Sequence, residues 1–242
     1  MQITKHTYIG QLVAIDYKFA SIFQNHKIDF FCNGNRSIEE VTTEQNIDIN
    51  KLITQLKNLS SKKNHTKKDF QNWPLDILAD YIEKNHHRFT ENKISELKPL
   101  LHELVEQYNS SYPELIEILE AFHLCAGEMA SHMKKEEIIL FPFIRKMVKT
   151  KKSSSNITTP HFGTVENPVR MMLHEHDVQS KLLQKLSDLS NNYTPPSGVS
   201  KTYSDVYKTM QIFEKDMQKH IHLENNILFP KAIVLEKTLD KE

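Results

Sequence analysis

Two steps of the form His-x-x-x-Glu, His132 to Glu136 and His220 to Glu224, are the parts of this chain best suited to chemistry. On a helix, positions i and i+4 share a face one turn apart, so each step aims an imidazole and a carboxylate at one point. That is the posture of a metal-ligand pair. Spacing alone is weak evidence, because the chain has 13 His and the pairs His87/Glu91 and His102/Glu106 share the same step. The repetition is stronger. His132-Met-Lys-Lys-Glu136-Glu-Ile-Ile-Leu-Phe-Pro142 and His220-Ile-His-Leu-Glu224-Asn-Asn-Ile-Leu-Phe-Pro230 agree at six of eleven positions, 88 residues apart. A lone His precedes each, His87 by 45 residues and His176 by 44. The unit is a His, two helices' worth of chain, then His-x-x-x-Glu, written twice. It predicts two helical hairpins related by an approximate two-fold axis, each supplying two His and one Glu.

Four imidazoles and two carboxylates exceed what one structural zinc takes. They suit two first-row metals bridged by carboxylates, with iron the best match for a helix-bundle core and manganese the competitor. His86 neighbours His87 but points about 100° away on a helix. The residues alone leave those two as alternatives, with Glu91 as a competing carboxylate. Glu128 and Asp216 each precede a proposed ligand His by four residues, and are expected to orient imidazoles or relay protons from outside the ligand ring. Cys125 reads as a packed core thiol. His174 and His222, two residues from ligands, are expected to face solvent or to act as outer partners.

The elements that must position these groups are helices. Five Gly in 242 residues and long segments of 3.6-residue apolar period give an all-α protein with no convincing strand. Residues 1–59 read as a small N-terminal helical domain, with Ile9, Leu12 and Val13 in one short helix and Phe19, Ile22 and Phe23 in the next. A turn follows at Asn33-Gly34-Asn35. Ser37-Ile-Glu-Glu40 is a capping box that starts a third helix, and Asp48 caps a fourth carrying Leu52, Ile53, Leu56 and Leu59. Such a unit is near the lower size limit for folding alone. Residues 60–71 read as a solvated, lysine-rich linker. Residues 72–238 hold four long helices, which describe a four-helix bundle. The first starts after Trp73-Pro74 and runs through His87 to about Tyr108, with Pro99 a place where it could break. The second runs from near Pro113 past Glu136, a surface crossing spans Thr150 to Asn167, and the third carries His176. After Pro195-Pro196-Ser-Gly198 comes the fourth, with His220 and Glu224. Pro142 and Pro230 each remove an amide, so a kink or an end is expected just after each repeated phrase.

Composition narrows the partners. With 31 basic and 31 acidic residues the formal charge is zero, so no whole-chain field recruits nucleic acid or an acidic membrane surface. The four lysines of the linker lack the interleaved aromatic residues of a nucleic-acid contact. No stretch approaches the roughly 18 apolar residues of a membrane span, and the N-terminal residues carry no signal-peptide pattern. With only Cys32 and Cys125 as thiols, a soluble cytoplasmic protein is expected.

The segments Tyr17-Lys-Phe-Ala-Ser-Ile-Phe-Gln-Asn-His-Lys-Ile-Asp-Phe-Phe-Cys-Asn-Gly-Asn35, Ser131-His-Met-Lys-Lys-Glu-Glu-Ile-Ile-Leu-Phe-Pro142 and His174-Glu-His-Asp177, the Pro-Pro loop and the second repeated phrase together resemble a known family. It is the di-iron iron-sulfur cluster repair proteins of the ScdA/YtfE group, with a hemerythrin-like C-terminal domain. The resemblance covers nearly the whole chain. It implies a hemerythrin-like four-helix bundle, His87, His132, Glu136, His176, His220 and Glu224 as ligands of two non-haem irons, and Glu136 and Glu224 as bridges with two His on each iron. It also implies a cytoplasmic stress protein that repairs clusters damaged by nitric oxide or oxidants, by iron donation, by nitric oxide binding and reduction, or by both. Damaged iron-sulfur proteins would be its clients and NO or O2 its small ligands, with the chain a monomer or homodimer. Whether it turns over as an enzyme is left open. Two alternatives compete: a hemerythrin-like module that binds or senses O2 or NO without turnover, and ferritin-like storage, disfavoured by four His ligands. The family's N-terminal unit commonly carries Cys-Cys before Gly-Gly, whereas here Phe30-Phe31-Cys32-Asn33-Gly34 keeps a single Cys. A role that needs a dithiol therefore has no pair, and Cys32 beside its turn stands as a candidate reactive thiol.

Overall fold

Capping and apolar spacing set the N-terminal quarter of the molecule, whose computed structural model describes residues 2–61, 69–153 and 159–239. Four short helices form there: α1 (Ile9–Ile15), α2 (Ala20–Asn25), α3 (Ile38–Glu44) and α4 (Ile49–Ser60). The expected capping box is present, with Ser37 Oγ accepting from the Glu40 amide and the Glu40 carboxylate accepting from the Ser37 amide at 2.6 Å. Asp48 accepts from the amides of Asn50 and Lys51. Among the described residues the sole β feature is an isolated bridge between Tyr8 and Ser37.

Four long rods follow. The first is α5 (Leu75–Tyr81), a π-helical turn at Ile82–His87, and α6 (Arg88–Tyr108). Pro99 lies inside α6 without breaking it, and the helix runs to Tyr108. The second is α7 (Glu114–Lys135), a π-turn at Glu136–Leu140, and α8 (Phe141–Ser153). The third, α9 (Glu166–Leu189), is α-helical throughout. The fourth is α10 (Lys201–Leu223), a π-turn at Glu224–Leu228, and α11 (Phe229–Leu239).

The prolines of the repeated phrases do not end their helices. In each phrase the chain widens first: the amide of Phe141 bonds back to the Glu136 carbonyl and that of Phe229 to the Glu224 carbonyl, five residues away. The proline comes next, where the ladder has already shifted register and one missing amide is tolerated. The expected crossing is shorter than Thr150 to Asn167, because α8 runs to Ser153 and α9 starts at Glu166. Its residues 154–158 lie outside the described ones, as do residues 62–68 of the expected linker. The end of that linker is packed: Phe70 is buried against Trp73 and Tyr81, with ring centroids 4.9 and 5.1 Å away.

Two apolar clusters fill the molecule. One joins the N-terminal unit to the far half of the bundle, running from Phe23, Phe30 and Leu52 to Leu101, Phe122, Phe213 and Ile221. The other packs Leu78, Ile82, Phe141, Ile144, Val169, Leu228 and Phe229 at the opposite end. A small unit that could bury little surface alone thus shares its core with the bundle. On each rod the proposed ligands fall at the seam between the clusters: His87 follows Ile82 and precedes Leu97, and His176 lies between Met172 and Leu183.

Candidate metal centre

At that seam the bundle brings all six sequence-derived residues together. His87 ends the π-turn of the first rod, and His132 closes α7, one turn before Glu136 opens the next π-turn. His176 sits in the middle of α9; His220 and Glu224 repeat the arrangement of the second rod on the fourth. Each is buried, with at most 1% of its surface exposed. Two overlapping sets form, His87/Glu136/His220/Glu224 and His132/Glu136/His176/Glu224, each with ligand atoms within 4.8 Å of one another. Both carboxylates belong to both sets. All four imidazoles turn Nε2 inward: His87 lies 3.3 Å and His132 3.4 Å from Glu136 Oε2, His220 lies 3.0 Å from Glu224 Oε1, and His176 lies 3.2 Å from Glu224 Oε2. Glu224 therefore offers one oxygen to each set.

The converging atoms satisfy one another only in part, through His220 Nε2 with Glu224 Oε1 and His176 Nε2 with His132 Nε2, each pair 3.0 Å apart. Both Glu136 oxygens, Glu224 Oε2 and His87 Nε2 are buried with no hydrogen-bond partner, an arrangement that costs about 1–3 kcal/mol per atom if left so. The donor types and their inward aim fit a pair of first-row metal ions bridged by two carboxylates. Burial opposes charge on Glu136, Glu224, His87 and His132, and mutual attraction overcomes it. Glu224 is held well below the ordinary carboxylate pKa by His220 and His176, and Glu136 is lowered by His132 and His87 against the repulsion of Glu224. His132 is pushed up to about 10 because the attraction of Glu136 outweighs its burial. The carboxylates are thus kept as anions, the form that ligates, and metal binding must displace protons from imidazole.

The outer face of the imidazole ring is built by residues that helical spacing did not identify. His87 Nδ1 meets Glu137 Oε1 at 3.1 Å, His132 Nδ1 meets Glu175 Oε2 at 2.9 Å, and His176 Nδ1 meets Asn225 Oδ1 at 2.7 Å. Glu137 is also bound by Arg88 and Lys134, and Glu175 by Lys135. The hydrogen bond from His132, ahead of that from Lys135, holds Glu175 down to about 2. The signal for two of them was in the repeat, since Glu137 and Asn225 are the equivalent positions following the two shared carboxylates. The repeated Phe has a role as well. Phe141 stacks on His87 with centroids 5.6 Å apart, and Phe229 stacks on His176 at 5.9 Å with ring planes within 4°.

Three expectations are corrected. Glu128 is exposed and takes no part in the cluster. Asp216 reaches His86 Nδ1 at 2.9 Å rather than a ligand, so His86 is a neighbour of the site and His87 its member. Cys32 is half-buried, its thiol directed at the His176 carbonyl at 3.4 Å. Burial, then Asp29 and Asp177, push its pKa upward, which disfavours a reactive thiolate. Glu91 pairs outward with Arg88, and His174 is exposed. His222, by contrast, is buried between Tyr17 and Phe30, where desolvation lowers its pKa to about 3. Cys125 is packed, its thiol 3.2 Å from Gln179 Oε1.

The N-terminal unit touches this centre directly. Asn225, which accepts from His176, donates through its amide to the Phe31 carbonyl at 3.1 Å. Asn226 donates to the carbonyls of Phe30 and Phe31 at 3.3 and 3.1 Å. Its side chain lies against both Gly10 and Gly34, where a Cβ would collide with it, and the Gly10 amide donates to the Gly34 carbonyl at 2.8 Å.

Known proteins match this two-part plan. The ScdA N-terminal domain, a domain of unknown function, matches residues 5–60, and the hemerythrin HHE cation binding domain matches residues 78–232. The iron-sulfur cluster repair protein YtfE of Yersinia pseudotuberculosis serotype IB (strain PB1/+) is 32% identical over 233 residues, covering 93% of this chain and 96% of that protein. The YtfE protein of Yersinia pestis (strain Pestoides F) matches with the same identity and coverage. Among the described residues no helix is long and apolar enough to cross a membrane. With a hemerythrin cation-binding domain behind an ScdA-type N-terminal unit, and near-complete coverage by these relatives, the chain belongs to the iron-sulfur cluster repair protein YtfE family.

Proposed function

We propose that this chain restores iron-sulfur clusters damaged by nitrosative or oxidative stress, using a carboxylate-bridged di-iron centre held by His87, His132, Glu136, His176, His220 and Glu224. One observation carries the reading: two buried four-residue sets share both of their carboxylates. When bound, such a pair supplies labile ferrous ion for an apo-cluster and an open coordination position for nitric oxide and its reduction. The protein's own contribution is positional. Glu136 and Glu224 present anionic oxygens to both sets, while Glu137, Glu175 and Asn225 hold the outer nitrogens of three imidazoles and so fix which nitrogen faces inward. Phe141 and Phe229 cover His87 and His176, which limits water at the centre. The names of the Yersinia relatives support damaged iron-sulfur proteins as clients, and two free cysteines fit the reducing cytoplasm. The tie from the Phe31 carbonyl through Asn225 to His176 favours repair over a gas-binding module alone, since a simple carrier has no use for such an attachment.

Anaerobically purified full-length protein should contain two irons per chain, magnetically coupled in the oxidised form by Mössbauer spectroscopy. It should also reactivate a nitric-oxide-damaged iron-sulfur enzyme, and Glu224→Ala should lose both properties. One iron per chain, zinc in place of iron, or full reactivation by Glu224→Ala would refute the proposal.

A further inference from the structure

The four inward imidazoles are not supported alike. His87, His132 and His176 each place Nδ1 against an acceptor, Glu137, Glu175 and Asn225 respectively. His220 does not: its Nδ1 is buried with no hydrogen-bond partner. The internal repeat makes this gap specific. Glu137 and Asn225 are equivalent, and each holds the upstream His of its own hairpin. Glu175 immediately precedes His176 and holds His132 of the other hairpin. Its counterpart immediately precedes His87 and should hold His220. That position is His86. Its Nδ1 is taken by Asp216 Oδ2 at 2.9 Å, and its ring lies flat against His220 with centroids 5.9 Å apart and planes within 12°. His86 Nε2 is itself buried without a partner.

We infer that the two metal positions are unequal: the His87/His220 position holds its ion more weakly than the His132/His176 position, because His86 stands where a carboxylate would orient and polarise His220. The inference rests on the di-iron reading and adds to it which ion the chain can surrender. An imidazole that ligates through Nε2 carries its proton on Nδ1, and an acceptor there fixes the ring and raises the basicity of the ligating nitrogen. Without one, the N–H is buried unpaired and the outer side of the ring is held by stacking alone. Loss of such a partner typically weakens a metal site about 10–100-fold. Both imidazoles of the His132/His176 position have acceptors, whereas the His87/His220 position has one of two. In repair by iron donation, this asymmetry allows one ion to be given up while the other keeps Glu136 and Glu224 in place.

The test uses the full-length chain. Metal-free protein is titrated anaerobically with ferrous ion against a chromophoric chelator, and crystals loaded with one equivalent are examined by anomalous scattering. Two dissociation constants at least about tenfold apart are expected, with the first ion between His132 and His176. The substitution His86→Gln offers an amide oxygen to His220 Nδ1 and an amide N–H to Asp216, and should tighten the weaker constant toward the stronger. Two equal constants, first occupancy between His87 and His220, or a weaker constant unmoved in a folded His86→Gln protein would overturn the inequality while leaving the di-iron reading intact. A stoichiometry of one would remove both. The one-equivalent crystals need no variant, so the inference is testable even if His86→Gln does not fold.

Discussion

Removing metal from the intact chain should lower its melting temperature substantially, and the structure sets the scale. Of the atoms that face the metal positions, four lack a hydrogen-bond partner among the described residues: His87 Nε2, Glu136 Oε1 and Oε2, and Glu224 Oε2. At about 1–3 kcal/mol for each unsatisfied group the cost spans roughly 4–12 kcal/mol. Water entering a polar site offsets part of it, and so does imidazolium charge on His132, whose pKa is raised to about 10 in the absence of metal. About 5 kcal/mol is then a fair figure, and at about 2–4 °C per kcal/mol for a chain of this size it becomes a loss of roughly 10–20 °C. The measurement is scanning calorimetry on iron-loaded protein, on the same protein reduced and stripped by chelator, and on the stripped sample after ferrous ion is restored. Iron should recover the original transition. If the stripped protein melts within about 3 °C of the loaded one, a shift worth no more than roughly 1 kcal/mol, the donor atoms are satisfied by other means and the argument from buried, unpaired ligands fails.

Further outcomes follow from particular residues. Glu137→Ala should weaken iron binding about 10–100-fold, while Glu128→Ala should leave it unchanged, as read by competition with a chelator. Gly34→Ala, which drives a methyl into the Asn226 side chain and the Phe30 carbonyl, should cost about 1–3 kcal/mol in urea unfolding. Gly127→Ala, at an open position of α7 with nothing within 4 Å, should gain about 0.5–1 kcal/mol. Glu214 lies in a cleft of about 590 Å³ between the N-terminal unit and the bundle, where burial raises its pKa above the ordinary 4.5 despite a hydrogen bond from Tyr193. A carboxyl raised on folding favours the fold when protonated and loses that advantage as pH rises. Glu214→Gln should therefore raise the melting temperature at neutral pH, and the gain should fade as pH falls from the raised folded value toward 4.5 and be gone below it.

What the sequence revealed, and what it hid, follow from the same arithmetic. The six buried residues proposed as ligands were legible because the phrase repeats, and two copies of His-x-x-x-Glu with an upstream His define the face each rod turns inward. Caps at Ser37 and Asp48 were legible because their partners lie within three residues. The π-turns were not, because a 3.6-residue period tolerates one extra residue before its phase visibly slips, and Pro142 and Pro230 then read as stops in an α-helical ladder. The outer partners escaped for a different reason. Glu128, one turn before His132 on α7, is exposed to solvent, because i, i+4 spacing fixes a shared face but not what packs against that face at each turn. The groups that hold the imidazoles come instead from neighbouring rods, as Glu175 of α9 does for His132 of α7, and that adjacency is a property of the bundle rather than of any one helix.

The widened turns at Ile82–His87, Glu136–Leu140 and Glu224–Leu228 give three of the four rods something like a reading frame. Residues beyond each turn are out of phase with those before it, and the apolar face of α8 has been written for the shifted phase. A single residue deleted between Glu137 and Leu140 would let the turn close into ordinary α-helix, the bond from the Phe141 amide to the Glu136 carbonyl becoming an i→i−4 one, and Phe141, Ile144 and Met147 would keep the core they now fill. The same deletion within α8 has no slack to draw on, and every residue after it would rotate by about 100°. The widened turn is therefore a place where the rod can lose a residue without losing its frame.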